Sequence, residues 1–246
     1  MVDKDLTKEA VKILKKKGIT VITGAGVTEI TSDGVIYEKN GMRERIECEK
    51  VLMSVGRKAT LCPMGSVRLE MEKGAVKTDS RLRTSVPNIY AIGDVNGKMM
   101  LAHTAIMEAE IAVDTICGKD AKADYSCIPS VIFMEPEIAS VGMTEEQAAE
   151  KYGELKIGKF PLVGNGKALV EGEQRGLIKV VSDQKNNILG VHMLAVHASD
   201  MIAEAAIAMR QGITADRVAA TVHPHPTVSE SVQEAMLGVD GRMLHM

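Results

Sequence analysis

The sequence predicts a mixed fold, an α/β part followed by a carboxyl-terminal α+β unit. Near the start, short runs rich in β-branched residues are separated by the turn-forming triplets SDG and NGM, which indicates a meander of strands. Near the end, strands are followed by helices, which is typical of an α+β arrangement. With 246 residues the chain is long enough for one large domain or two smaller ones.

The first predicted element is a helix over residues 5–17, followed by strands in residues 19–23, 27–39 and 43–56. The helix has apolar residues at helical spacing and ends at Gly18. Between the first two strands, Gly24-Ala25-Gly26 has the opening of a dinucleotide fingerprint. It lacks the third glycine and the helix that such a site needs, so a turn between strands is predicted.

A second unit opens near Thr78. The run NIYAIGD (88–94) predicts a buried strand, and residues 101–118 predict a helix that ends at Gly118. The composition changes at DYSCIPS, which places a boundary around Tyr125.

Beyond this boundary, strands are predicted in residues 130–134, 138–142, 177–183 and 188–195, the last two joined by a polar QKNN turn. Helices are predicted over Thr144–Lys151, Ser199–Gln211, Thr214–Ala220 and Val228–Leu237.

Charge, cysteines and hydropathy exclude several classes of protein. A net charge of -3 gives no reason to expect nucleic acid or an anionic membrane as a partner. No apolar run is long enough to span a bilayer, and the acidic start does not resemble a signal peptide, so a cytoplasmic protein is expected. The four cysteines lie at least ten positions apart and the histidines show no metal-type spacing, so no metal site is predicted.

Gly93 and Asp94 end the predicted buried strand, where a ligand can approach the glycine and the carboxylate can accept hydrogen bonds from hydroxyl groups. The following helix starts near Leu101-Ala102-His103. Its free N–H groups and positive dipole end suit an anionic or carbonyl-rich ring, and its alanines (Ala102, Ala105, Ala109 and Ala112) permit close packing. A simple β-turn explains the same residues without a cofactor.

The stretch HPHPTVSESV (223–232) suggests acid–base chemistry. Pro224 and Pro226 stiffen a loop that presents His225 just before a helix, and Glu230 lies in the first turn. A carboxylate there would orient one ring nitrogen and leave the other to exchange a proton near neutral pH. The alternative is a capping box, in which Glu230 only reaches back to the backbone N–H of Thr227.

Five motifs occur in one order along essentially the whole chain: VLMSVGRKA, VPNIYAIGDV, MLAHTAIMEAEIA, VIFMEPEIASVGMTEEQA and HPHPTVSES. Together they resemble the flavoprotein disulfide reductases of the pyridine nucleotide family, and most of all the members that oxidise dihydrolipoamide with NAD. Mercuric reductases carry tyrosine at the histidine loop and end in a cysteine pair absent here. Glutathione reductases usually lack the histidine at position 223.

The resemblance implies partial nucleotide-binding domain segments followed by a dimerisation domain, with FAD and NAD as cofactors. Residues 1–60 match the carboxyl-terminal part of the NAD-binding domain, 61–124 a segment of the FAD-binding domain, and 125–246 the dimerisation domain. Asp94 with Gly93 matches the acid that binds the ribityl–phosphate part of FAD. The loop and helix start beside the flavin ring match Met100, Leu101, Ala102 and His103. Gly56 and Val27 match positions that line the NAD site.

The resemblance also implies a proton acceptor and partners. His225 matches the acid–base histidine, which in the family reaches the active site of the opposite subunit of a homodimer, and Glu230 matches its orienting carboxylate. The expected partner is a lipoyl domain of a 2-oxoacid dehydrogenase or glycine cleavage complex.

Family members begin with two glycine-rich nucleotide-binding units and a CxxxxC redox pair, none of which is in this sequence. The expectation is therefore the carboxyl-terminal portion of such an enzyme, inactive unless another chain supplies the front half. The alternatives are a dimerising module without catalysis, or part of a related disulfide reductase such as glutathione reductase.

Overall fold

The amino-terminal half contains a helix, a three-stranded meander and a second helix. The structure, a computed structural model, describes residues 2–62 and 65–245. The elements of this half are α1 (Lys4–Lys16), β1 (Ala25–Thr31), β2 (Gly34–Lys39), β3 (Met42–Glu47), the short pair β4 (Met71–Glu72) and β5 (Ala75–Val76), and α2 (Ala102–Ile116). The first three strands pair antiparallel in chain order. Asn40 and Gly41 have positive φ angles of 51° and 75°, which a two-residue hairpin turn of type I′ requires.

A five-stranded antiparallel sheet forms the centre of the carboxyl-terminal half. Its strands are β6 (Ser130–Ile132), β7 (Glu137–Gly142), β8 (Lys156–Pro161), β9 (Leu177–Ser182) and β10 (Ile188–Ala195). Their order across the sheet is β6-β7-β10-β9-β8. Every residue of the central strand β10 is buried, because helices cover both faces of the sheet.

Helices of the same half cover one face of this sheet and form the main core. The helices of this half are α3 (Glu145–Tyr152), α4 (Gly166–Val170), α5 (Ala198–Arg210), α6 (Ala215–Ala219) and α7 (Glu230–Gly238). Helices α5 and α7 pack on alternate residues of the sheet, as the two-residue period of a strand requires, and α6 packs against α7. At Gly158 of β8 a Cβ atom would collide with the carbonyl oxygen of Ala235, so α7 lies directly against the strand. The sheet therefore fixes the position of α7.

The opposite face of the sheet carries α1 and α3. The buried residues Leu6, Ala10 and Ile13 recur at helical spacing along α1 and pack against Ile138 and Leu194. The helix ends as predicted at Gly18, whose φ is 78° and whose N–H donates to the Lys15 carbonyl. Through α1 the amino-terminal half is attached to the five-stranded sheet.

A buried group of charges fastens α1 to this face. The Lys179 side chain is only 2% exposed, and its Nζ lies 2.7 Å from Asp3, 2.8 Å from Asp5 and 2.6 Å from Glu145. Burial alone would raise the pKa of Asp3, but hydrogen bonds from Lys179 and from two backbone N–H groups hold this pKa below its usual value. Hydrogen bonds from Lys159 and then from Lys179 hold the pKa of Asp5 far below its usual value. The desolvation cost of the buried Lys179 ammonium is thus offset by its carboxylate partners inside the protein.

Most predicted elements are present, with boundaries shifted by one or two residues. The helix predicted over residues 101–118 spans 102–116, and the capping box at Thr144 has both hydrogen bonds in place. Of the four alanines expected to permit close packing, Ala112 is buried, and the other buried residues of α2 are Thr104, Glu108 and Thr115.

Two predicted strands, in residues 19–23 and 88–94, are wrong, and the strand predicted over residues 43–56 is present only as β3 (Met42–Glu47). Residues 19–23, 51–56 and 88–94 form no regular strand, and only Tyr90 among them makes an isolated bridge, to Arg83. A strand needs a neighbouring strand for its backbone hydrogen bonds, and the described residues place none beside these runs. Leu52 and Val55 are accordingly 91% and 87% exposed. Strand β8 and helix α4 were not predicted. Within the described residues, no helix is long and apolar enough to cross a bilayer.

Candidate functional site

The histidine loop places His225 and Glu230 in direct contact. Nδ1 of His225 lies 2.9 Å from Oε1 of Glu230, the first residue of α7. The imidazole is 80% exposed, and its Nε2 has no hydrogen bond within the described part of the chain. The peptide bond between His225 and Pro226 is cis. One ring nitrogen is thus held by a carboxylate while the other faces outward.

Glu230 makes both of the contacts that the sequence suggested, one with the His225 ring and one with the Thr227 backbone, because its two oxygens have different partners. Oε1 contacts the imidazole, and Oε2 accepts a hydrogen bond of 2.8 Å from the backbone N–H of Thr227. The Thr227 hydroxyl does not cap the helix but donates to the Pro224 carbonyl, and the helix begins at Glu230 instead of Val228. Burial alone would raise the pKa of Glu230, but hydrogen bonds from Thr227 and then His225 hold it below its usual value. The carboxylate is therefore ionised and able to stabilise a protonated imidazole.

The neighbouring His223 also has a carboxylate partner, which the sequence did not reveal. Its Nε2 lies 2.9 Å from Oε1 of Glu204 on α5, and its side chain is only 6% exposed. Glu204 precedes His223 by 19 residues, so no local spacing connects the two.

The second candidate region is the turn that carries Gly93 and Asp94. Residues Gly93–Asn96 form one turn of 3₁₀ helix, and Gly93 has a φ of 70°. A Cβ atom at Gly93 would lie 3.2 Å from the Cβ of Ala105, so α2 packs tightly behind the turn. Asp94 is exposed, and its Oδ2 accepts a hydrogen bond of 3.1 Å from Arg57.

Arg57 links several predicted cofactor residues. The same guanidinium contacts the carbonyl oxygen of Met100, and Gly56 precedes it in the chain. A cleft of about 430 Å³ opens beside these residues, and its lining includes the basic side chains of Arg57, Lys58, Lys73, Lys77 and Lys98. Positive charge concentrated in a cleft favours an anionic ligand such as a phosphate group.

Glu108 of α2 holds the Gly93–Asn96 turn from behind. Its side chain is fully buried. Oε2 accepts hydrogen bonds from the backbone N–H of Gly93 at 2.5 Å and from Asn96 at 2.9 Å, and Oε1 accepts one from the Tyr125 hydroxyl at 2.7 Å. Burial and then Glu108 raise the pKa of Tyr125 well above its usual value. Sequence reasoning missed Glu108, although a lone carboxylate on the buried face of a helix of small residues is a signal.

The start of α2 is free to bind a ligand. Leu101 is its N-cap residue and provides no side-chain hydrogen bond. The N–H groups of Ala102, His103 and Thr104 have no hydrogen-bond partner among the described residues, and the Ala105 N–H is the first to donate to a helix carbonyl, that of Leu101. Nε2 of His103 donates a hydrogen bond to the carbonyl oxygen of Pro129, 2.8 Å away, because a carbonyl oxygen can only accept. The Thr104 hydroxyl is buried without a partner in the described residues.

Two further predicted residues, Val27 and Gly56, are exposed in the amino-terminal half. Val27 is 61% exposed on β1, opposite Tyr37 of β2. Gly56 has a φ of 109° in the exposed segment after β3. No hydrogen bond or ion pair among the described residues joins the histidine loop to Asp94. No group of three or more His, Cys, Asp or Glu residues that could hold a metal ion occurs in the ranges 2–62 and 65–245.

Two family models match this chain. The model described as "Pyridine nucleotide-disulphide oxidoreductase" matches residues 1–109, and the model for the dimerisation domain of that family matches residues 128–236.

Curated relatives agree with these models. A mitochondrial dihydrolipoyl dehydrogenase from Caenorhabditis elegans is 43% identical over 203 residues, which are 81% of this chain and 41% of that protein. A dihydrolipoyl dehydrogenase from Bacillus subtilis is 41% identical over 216 residues, 86% of this chain and 46% of that protein. The chain thus spans less than half the length of the curated relatives it matches.

A solved structure shares the fold. The HOCl-induced flavoprotein disulfide reductase RclA from Escherichia coli, solved as a Cu(II) complex, superposes with a TM-score of 0.84 at 26% identity. The match covers 96% of this chain and 55% of RclA. With the order of elements, the histidine loop and both family models in agreement, the chain belongs to the pyridine nucleotide-disulphide oxidoreductase family.

Proposed function

We propose that this chain is the carboxyl-terminal portion of a dihydrolipoamide dehydrogenase. The observation that carries the proposal is the hydrogen bonding of His225. Its Nδ1 is bound to an ionised carboxylate, and its Nε2, on an exposed ring, has no partner among the described residues. This arrangement suits a general base that removes a proton from a thiol. The names of the curated relatives support dihydrolipoamide as the dithiol.

In the proposed reaction, Nε2 of His225 takes the proton of a substrate thiol, and Glu230 stabilises the resulting cation. The chain's own cysteines are free and do not supply a redox pair. The dithiol–disulfide exchange therefore needs a cysteine pair from outside this chain, and without it we expect no turnover.

The cofactor groups present fit part of an FAD site. Asp94 has an exposed carboxylate for hydroxyl groups, and the uncapped start of α2 offers N–H donors to carbonyl oxygens. The basic cleft beside Arg57 suits a phosphate. When bound, FAD would carry the electron pair between the dithiol and NAD. Val27 and Gly56 are proposed to border the NAD site.

The proposed assembly is a homodimer in the cytoplasm that acts on the lipoyl domain of a 2-oxoacid dehydrogenase or glycine cleavage complex. The match of residues 128–236 to the dimerisation model supports the dimer. The exposure of His225 also supports it, since in the proposal this ring reaches the active site of the other subunit. In this proposal, residues 1–60 belong to the NAD-binding domain, residues 61–124 to the FAD-binding domain and residues 125–246 to the dimerisation domain.

The test uses the chain together with the complementary front half of the enzyme. His225→Gln is expected to abolish the reduction of NAD by dihydrolipoamide while flavin stays bound and NADH still reduces a dye, because the dye path needs no thiol proton transfer. His197→Gln is the matched control, since His197 also contacts a carboxylate, Glu171, at 2.9 Å. Full activity of His225→Gln, or loss of its flavin, would contradict the proposal.

A second candidate is a dimerising module without catalysis. The complete core around the five-stranded sheet, with Phe133 79% exposed beside it, favours this alternative. A purified chain that dimerises, and that neither binds FAD nor gains lipoamide-dependent activity with the front half, would support the module and reject the enzyme.

A further inference from the structure

The base of the histidine loop carries a second imidazole, His223, with hydrogen-bond partners on both sides. Its Nε2 contacts Glu204 at 2.9 Å, and its Nδ1 contacts the carbonyl oxygen of Thr221 at 3.0 Å. A carbonyl oxygen can only accept, so Nδ1 must donate its hydrogen there. Nε2 faces a carboxylate, which accepts as well. The arrangement is fully satisfied only when both ring nitrogens carry hydrogen.

His225 differs from His223 in each of these respects. One of its nitrogens is bound and the other is open, and its ring is 80% exposed against 6% for His223. His223 therefore has no free nitrogen with which to exchange a proton with a substrate.

The backbone that precedes His223 is also held in place by hydrogen bonds. Nε2 of Gln233, on α7, donates to the carbonyl oxygens of Thr221 at 2.9 Å and Ala219 at 3.0 Å. Val222, between Thr221 and His223, is 91% exposed and contributes little packing. The buried ring of His223 is thus the anchor that joins the loop to α5, while Gln233 joins it to α7.

The exposed contact between His225 and Glu230 needs such an anchor. Ion pairs in contact with water contribute little, because ordering two side chains opposes a screened attraction. A loop held only by this pair would let the imidazole leave the carboxylate.

We propose that His223 is a positioning residue, which with Glu204 anchors the loop so that His225 meets Glu230 at the start of α7. The catalytic meaning of this role rests on the proposed function. The anchoring itself can be measured in the 246-residue chain without turnover.

The experiment compares Glu204→Gln with Glu171→Gln. Both changes remove the charge of a carboxylate 2.9 Å from a histidine Nε2, but the second one affects His197, outside the loop. Nuclear magnetic resonance of the ring nitrogens reports the hydrogens on His223 and His225. Hydrogen exchange of the Thr227 amide reports its bond to Glu230.

Glu204→Gln should shift the ring signals of both His223 and His225. It should also speed Thr227 exchange about tenfold, as expected for the loss of one hydrogen bond to a charged group. Glu171→Gln should change neither. Glu204→Asp, which keeps the charge but shortens the reach, should give a smaller change in the same direction.

A folded Glu204→Gln chain with unchanged His225 signals and Thr227 exchange would overturn the proposal. If Glu204→Gln does not fold, Glu204→Asp is judged by the same criterion. None of these readouts depends on catalysis, so a failure here is distinct from the failure of His225→Gln to abolish activity.

Discussion

Removing the ammonium group of Lys179, on β9, is expected to weaken the attachment of α1 more than any other single-charge change on that face of the sheet. Lys179→Met keeps most of the side-chain volume but deletes three short contacts to carboxylates. Two of the three partners keep other support, since Asp5 retains Lys159 at 2.8 Å and the Glu145 side chain is 40% exposed to water. Asp3 has neither, because its side chain is 0% exposed and Lys179 is the one cation paired with it among the described residues.

The expected loss of stability comes from the Asp3 carboxylate, which would stay buried without Lys179. Removing one partner of a buried ion pair costs about 3–5 kcal/mol. Asp3 still accepts backbone hydrogen bonds from Asp5 at 3.0 Å and Glu145 at 3.1 Å. These favour the lower end, so we expect the free energy of unfolding to fall by about 3 kcal/mol. For a chain of this size that corresponds to a Tm lower by roughly 6–12 °C.

Urea unfolding followed by circular dichroism measures this loss, because the chain has no Trp for fluorescence. Lys4→Met is the matched control, since the Lys4 side chain is 71% exposed in its pair with Glu146 and its removal should cost less than about 1 kcal/mol. Adding Asp3→Asn to Lys179→Met should restore a large part of the loss, because no unpaired charge remains. A loss no larger than that of the control, or a double variant no better than Lys179→Met alone, would refute the reasoning.

Two further predictions concern buried carboxylates. The pKa values of Asp3 and Asp5 are lowered in the folded chain, so their contribution is complete above about pH 5 and is lost as pH falls below their ordinary value of about 3.9. The free energy of unfolding, measured by urea titration at a series of pH values, should therefore be flat near neutrality and fall below about pH 4, less steeply in Lys179→Met. Glu108→Gln should lower stability by about 1–3 kcal/mol and speed exchange of the Gly93 amide, because a side-chain amide cannot accept all three hydrogen bonds. Glu110→Gln, on the exposed side of the same helix, should change neither measurement, and an equal effect of both changes would contradict this role.

The sequence predicted elements whose pattern is local. The apolar stripe and Gly18 located α1, and the SDG triplet located the β1–β2 hairpin. The strand predicted at residues 88–94 and the second half of the one predicted over residues 43–56 are absent, because strand formation depends on a distant neighbour, which local composition does not reveal. Strand β8 was missed for a related reason, since KIGKFP has two lysines, a glycine and a proline, and becomes a strand through its pairing with β9 and its packing under α7.

The candidate sites show the same difference between local contacts, which the sequence predicted, and distant ones, which it did not. His225 and Glu230 are five residues apart, so their contact could be predicted from spacing. Glu204 and Lys179 act across 19 residues and more than 170 residues, respectively. Such partners become visible only when the fold brings them together. Whether His225 and Glu230 are catalytic remains a prediction.

The shared use of the Glu230 carboxylate couples the orientation of His225 to the first turn of α7. One oxygen starts α7 by binding the Thr227 N–H, and the other aims the imidazole. A molecule whose last helix is not wound at its first turn therefore cannot display a correctly aimed His225. A substitution at Glu230 would alter both the orientation of His225 and the way the helix begins.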